Sequence, residues 1–336
     1  MNELYSIGVD LGGTNLRIAA YGSGREFLDT TTLITRLAEG RQQVVRDMCD
    51  AIRATSARMN GSRRLVGIGV GTPGPLELPD GIVRNPPNLP GWDGFELLSA
   101  IETGVGCAVS LESDANLAAL AEENLGVGRR YEIDSLCMIT LGTGVGSGFI
   151  FNGRIWHGAT GMGGEAGHII VKDEGGALCG CGGHGCLEQY ASATGIVRMA
   201  REQMHAQAPA TAEELARMAR AGNSIAQDVF AKVGRALAIG LTVTINTLNL
   251  PLYVLGGGVS EAWDLFSPAM LAELRSRSYI YRLTQPTAGL EGGIERHKTY
   301  ICATELGPSA GLLGACILPF QTSALPENAI IGNDCP

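Results

Sequence analysis

Lysine is almost missing from this 336-residue chain: of 25 basic residues only three are lysine, and 34 acidic residues leave a net charge of −9. So acidic a balance argues against a nucleic-acid partner, which wants a basic face. No apolar run reaches the ~18 residues of a transmembrane helix. The N-terminus, MNELYSIGVDLGG, has no basic stretch followed by an apolar one, so neither a membrane partner nor a signal peptide is expected. A Gly-Lys pair is also missing, which excludes a P-loop of the GxxxxGK[ST] kind. The expected setting is the cytoplasm. None of this excludes a local anion site, because backbone N–H groups can supply the positive end.

What the chain does have is glycine, 48 residues gathered in short clusters, and 45% hydrophobic residues, enough for one two-lobed unit or two domains. The pattern predicts strands at Leu4–Asp10 and Leu16–Tyr21 around a Gly-Gly turn, then a helix from about Gln42 to Arg58. Further strands are expected at Leu65–Gly71, Cys107–Glu112, Ser135–Leu141, Gly148–Phe151 and Leu252–Leu255. Helices should fill about Thr194–Asn249, with breaks near Ala208-Pro209 and Gly222, and about Ser309–Leu318. Asp114 reads as the N-cap of a helix running to about Asn124. Ile7–Tyr21 aligns without gaps on Cys137–Phe151, both reading apolar strand, glycine turn, apolar strand, which suggests a duplicated α/β half.

Asp10-Leu11-Gly12-Gly13-Thr14 puts a carboxylate at the end of a buried strand, beside a turn nearly free of side chains. Such a backbone can approach phosphate oxygens closely, whereas the carboxylate suits Mg²⁺. Gly142-Thr143-Gly144 offers a second set of donors, and Gly256-Gly257-Gly258 a surface for a flat nucleotide. A dinucleotide fold wants its glycine turn opening a helix, whereas strands follow the first two turns.

Cys179, Cys181 and Cys186 crowd into eight residues and read as a structural, tetrahedral Zn²⁺ site in a reducing compartment. On spacing, either His168 or His184 completes the set. Cys49, Cys107, Cys137, Cys302 and Cys316 read as single buried thiols.

Asp10–Thr14, Gly71-Thr72-Pro73-Gly74-Pro75, Gly163–His168 and Cys179–Glu188 together resemble the ROK family of sugar kinases and sugar-responsive repressors, from about residue 5 to 318. The resemblance implies the actin/Hsp70/hexokinase-like (ribonuclease H-like) duplicated α/β fold, two lobes with ATP and sugar in a central cleft. It places a smaller lobe at about 1–125 with 304–320, a larger one with the zinc loop at about 126–303, and a tail at 321–336. It makes Asp114, in Glu112-Ser113-Asp114-Ala115-Asn116, the general base that takes a proton from a sugar hydroxyl. Asn88, Glu165, His168 and Glu188 match the family's sugar-binding positions, with Gly74 contributing backbone, and His168 becomes the preferred fourth zinc ligand. The family usually has Asn where this chain has Ser113, a possible sugar contact with fewer hydrogen-bonding groups. Trp92 and Trp156 are read as core or loop packing, not as sugar platforms.

The implied activity is ATP-dependent phosphorylation of a hexose, glucose first, with Mg²⁺ and a structural zinc, in a homodimer. The alternatives are an N-acetylhexosamine kinase or a sugar-sensing protein without kinase activity. Repressors of the family carry a helix-turn-helix before the aspartate-bearing turn. Asp10 comes too early in this chain to leave room for one, which weighs against DNA binding.

Overall fold

The computed structural model describes residues 3–59, 63–86 and 88–322; the expected tail lies outside them from residue 323 on. In chain order come β1 (Glu3–Leu11), β2 (Asn15–Gly22), β3 (Phe27–Ile34), α1 (Arg41–Met59), β4 (Arg63–Thr72), β5 (Leu76–Glu77), β6 (Ile82–Val83), β7 (Phe95–Glu96), α2 (Leu97–Val105), β8 (Val109–Ser113) and α3 (Asp114–Asn124). Then follow α4 (Val127–Arg130), β9 (Leu136–Leu141), β10 (Val145–Phe151), β11 (Arg154–Ile155), α5 (Glu188–Ala191), α6 (Ala193–Met204), α7 (Ala212–Arg220), α8 (Ser224–Leu248), β12 (Leu252–Gly256), α9 (Trp263–Arg277), α10 (Tyr279–Thr284), β13 (Tyr300–Ala303) and α11 (Ala310–Thr322). The chain divides into two units. The first takes the chain up to Ala121, Ile155–Gly163 and the part from Ser309 on; the second takes Glu122–Arg154 and Gly164–Pro308.

In the first unit the sheet order is β3-β2-β1-β4-β8. β1 pairs antiparallel with β2 and parallel with β4, which pairs parallel with β8. β1 is buried on both faces from Tyr5 to Leu11, as a central strand covered on each side must be. Its odd residues Ile7, Val9 and Leu11 join the core that takes Val44, Met48 and Ile52 from α1. Its even face meets α11: the Ser6 hydroxyl donates to Cys316 O at 2.6 Å, and Gly311 lies against Asp10. β3, at the sheet edge, alternates between exposed and half-buried positions.

In the second unit the order is β11-β10-β9-β12-β13. β9 pairs antiparallel with β10 and parallel with β12, which pairs parallel with β13. A glycine-turned hairpin whose first strand is flanked by a parallel neighbour therefore occurs once in each unit, as the internal repeat predicts. α8 carries the buried stripe Val229, Phe230, Val233, Leu237, Leu241 and Ile245 at helical spacing. Asn223 caps it, accepting from Ala226 N at 2.9 Å, and Asn249 in the left-handed region (φ 48°) stops it.

Three local expectations shift. β10 starts at Val145, three residues before the predicted strand, and α6 ends at Met204, ahead of the predicted break. Cys107 lies before β8 and is half-buried, whereas Cys49, Cys137 and Cys316 are the buried free thiols expected and Cys302 is a half-buried one. Among the described residues, no helix is long and apolar enough to cross a membrane.

Candidate functional site

The first unit presents the Gly12-Gly13-Thr14 turn between β1 and β2. Gly12 N closes the turn on Asn15 O at 2.9 Å, whereas Gly13 N and Thr14 N have no acceptor among the described residues. Thr35 holds the turn from outside: its hydroxyl donates to Gly12 O at 2.8 Å and its N–H to Thr14 O at 2.9 Å. Asp10 is directly opposite Arg17 in the hairpin register, and the guanidinium meets carboxylate Oδ2 through Nε at 2.9 Å and through a second nitrogen. Asn88 is exposed, with its carbonyl against Gly13; Gly74 follows the end of β4, and Trp92 is a core residue.

Ser113 and Asp114 stand where β8 becomes α3. The hydroxyl of Ser113 accepts from Asn116 N at 3.3 Å, so Ser113 provides the side-chain cap expected of Asp114, and Asp114 is the first helical residue. Behind them Glu112, 3% exposed, organises the segment. Its Oε1 accepts from Ser113 N (2.8 Å) and Asn116 Nδ2 (2.9 Å), and its Oε2 lies 2.5 Å from His157 Nε2. That hydrogen bond is the main cause of a raised His157 pKa, opposed by burial and aided by the charge of Glu112.

A raised folded-state pKa means the ionic part of this contact stabilises fully below the unfolded histidine value, near 6.5, and fades as pH climbs through the folded value. His157→Gln should therefore lower the thermal midpoint more at about pH 5.5 than at about pH 8.5. An equal loss at both would mean that His157 acts by packing alone.

The second unit repeats the open turn. Gly142 N closes on Gly144 O at 2.9 Å, and Thr143 N and Gly144 N have no acceptor among the described residues. Thr194 Oγ1 donates to Thr143 O at 2.8 Å, and Ala193 N to Gly142 O at 2.8 Å, tying the turn to the start of α6. Glu188, first in α5, reaches the same turn: its Oε2 accepts from Val145 N at 3.1 Å. A Cβ on Gly144 would collide with that Oε2, so the position admits only glycine while Glu188 stays in place. Gly256 ends β12, and Gly257-Gly258 after it are braced by the Ser260 hydroxyl donating to Gly257 O at 2.7 Å.

Glu165 and His168 lie on a loop hung from β10, where Ser147 Oγ donates to Gly164 O and accepts from Ala166 N at 2.9 Å. Burial raises the Glu165 carboxyl pKa; His168 opposes the shift and Glu188 adds to it. His168 turns Nδ1 toward the cysteines, 3.6 Å from Cys179 Sγ, while Nε2 lies 4.0 Å from Glu165 Oε2.

Ligand atoms of His168, Cys179, Cys181 and Cys186 all lie within 4.8 Å of one another, a set that excludes His184. Three thiols and one imidazole match the chemistry of a closed zinc site. The loop that brings them together depends on Gly185, at φ 75°, where a Cβ would run into Lys172 O. Glu188 Oε1 accepts from Cys179 Sγ at 3.5 Å, so one carboxylate touches both the thiol cluster and the glycine turn.

Five residues that the sequence reading left without a role hold these sites: Arg17, Thr35, Ser147, His157 and Thr194. Only Arg17 carried a signal, since counting outward from the Gly-Gly turn puts it opposite Asp10.

The ROK family profile matches residues 6–321. A glucokinase of Halalkalibacterium halodurans is 34% identical over 327 residues, covering 94% of each chain. A ROK hexokinase structure from Thermus thermophilus superposes with a TM-score of 0.77 at 32% identity, covering 95% of this chain and 98% of its own. A ROK family glucokinase from Streptomyces griseus, solved with glucose and AMPPNP, gives 0.74 at 30% identity over 94% and 99%. With two hairpin-centred α/β units matched over nearly their full length, this chain has the actin/hexokinase-like fold and belongs to the ROK family.

Proposed function

We propose that this protein is an ATP-dependent hexose kinase, glucose being the first substrate, with Asp114 as general base. The observation that carries the reading is the open glycine turn, present once in each unit with two adjacent N–H groups that have no acceptor among the described residues. Paired N–H donors on a turn without bulky side chains suit the oxygens of a nucleotide's phosphates. Gly12, Gly13 and Thr14 serve in the first unit and Gly142, Thr143 and Gly144 in the second, with Gly256–Gly258 against the nucleoside. Asp10 is the carboxylate for Mg²⁺, which takes one or two carboxylates along with phosphate oxygens and waters. When bound, that ion neutralises charge on the transferring phosphoryl group.

In this reading, sugar hydroxyls bond to Asn88, Glu165, His168 and Glu188, with backbone at Gly74. Ser113 Oγ already accepts from Asn116 N, which leaves it one lone pair and its hydroxyl proton for a sugar. Asp114 draws the proton from the attacking hydroxyl as the bond to γ-phosphorus forms. His168, Cys179, Cys181 and Cys186 hold a structural Zn²⁺. A homodimer in a reducing cytoplasm completes the proposal, on the strength of the family resemblance. The test is coupled ADP release with ATP over a panel of hexoses and N-acetylhexosamines. Turnover should be largest with glucose; none on any sugar would remove the kinase reading, leaving a sugar sensor.

A further inference from the structure

A cavity of about 500 Å³ opens in the second unit, and none of the glycine-turn residues lines it. Four basic side chains line it: Lys172 from the loop after His168, Arg198 from α6, and Lys232 and Arg235 one turn apart on α8. The chain has only three lysines and a net charge of −9, so two of the three meeting at one cavity is not the sampling of an average surface. Two carboxylates offset part of this charge. Glu202 pairs with Arg198 at 2.5 Å, and Asp228 with Lys232 at 2.7 Å and Arg235 at 3.8 Å. The balance of these six groups is +2.

Two of the cations are incompletely used. Lys172 is exposed and has no ion-pair partner among the described residues. Arg198 donates to Gln189 O at 2.8 Å and stacks 5.6 Å from the Tyr190 ring, yet its buried Nε has no hydrogen-bond partner. That Nε is shielded, so an anion in the cavity meets Arg198 through the outer nitrogens of its guanidinium, where the side chain is part-exposed. Inorganic phosphate would leave most of 500 Å³ empty, and Tyr190, Met199 and Ile239 add an apolar wall.

From these observations we infer that the cavity is an effector site for a small organic phosphate monoester, its dianion held among Lys172, Arg198 and Arg235 and its body against Tyr190. The charge of such a monoester near neutral pH, −1.5 to −2, matches the local balance. The site has a direct route to Glu188: Tyr190 is two residues along the same short helix, and Glu188 contacts the Gly144 turn and Cys179. Occupancy therefore shifts the setting of Glu188 and alters the KM for sugar. This effector role rests on the proposed kinase reading, whereas binding itself does not.

Phenyl phosphate is a suitable probe. Calorimetry on the intact protein should show saturable binding with Kd at or below about 1 mM. Lys172→Glu should weaken it, and Lys172→Glu with Arg235→Glu by at least about tenfold, with basal turnover unchanged. No saturable binding, or equal Kd in the double variant, overturns the site, whatever the enzyme does with sugars. Binding that leaves the sugar KM of an active enzyme unmoved overturns the effector role.

Discussion

Asp114→Asn should fold, bind sugar and lose on the order of 10²–10⁴-fold or more in kcat. Asn keeps the size and one acceptor oxygen of Asp but has no affinity for the proton of a sugar hydroxyl. The helix cap belongs to Ser113, whose hydroxyl bonds Asn116 N, so the substitution leaves the start of α3 closed. What α3 forfeits is a negative charge in its first turn, typically worth about 0.3–1 kcal/mol. Glu112, which fixes the β8–α3 junction through Ser113 N, Asn116 Nδ2 and His157, is untouched. The two effects therefore separate: a small shift in thermal midpoint and a large loss in coupled ADP release, with sugar KM near that of the wild type. Wild-type kcat in this variant would remove Asp114 as the base.

How far these features were legible in the sequence differs by scale. The two hairpins were readable because a buried central strand is a continuous apolar run and a tight glycine turn punctuates it. The start of β10 was missed because Gly146 and Ser147 break the apolar pattern while still pairing with β9. The cap was misplaced by one residue, since Ser113 and Asp114 are both good capping residues and only the geometry of the β8–α3 junction chooses. Arg17 was within reach of register counting. His157 was not: it meets Glu112 across 45 positions of sequence, and nothing local marks either as the other's partner. That Ile155–Gly163 belongs with the first unit, between two stretches of the second, is likewise a property of the fold and not of any window. The site residues carried by family motifs were named by resemblance, and physics adds why they sit as they do: Glu188 can reach Val145 N only because Gly144 has no side chain.

Removal of zinc should weaken sugar binding before it unfolds the chain. His168 has Nδ1 among the thiols and Nε2 4.0 Å from Glu165 Oε2, so the ligand that fixes Nδ1 also fixes where Nε2 points. Glu188 braces the Gly144 turn through Val145 N, a contact that does not involve the metal. Losing the metal therefore frees the ring of His168, a proposed sugar-binding group, and a rise in sugar KM on the order of tenfold or more is expected. The second unit's core does not depend on the loop to the same degree. Val229, Phe230, Val233, Leu237 and Leu241 pack with Phe266, Met270 and Leu274 from α9, and these hold without the ion. Far-ultraviolet circular dichroism of the chelated protein should stay close to native while the sugar titration moves. Cys181→Ser, which alters the exposed member of the set, should reproduce the KM shift with less structural disturbance than replacing the buried Cys179 or Cys186. Metal analysis well under one zinc per chain in fresh protein would remove the site, and an unchanged KM after verified metal loss would detach His168 orientation from sugar affinity.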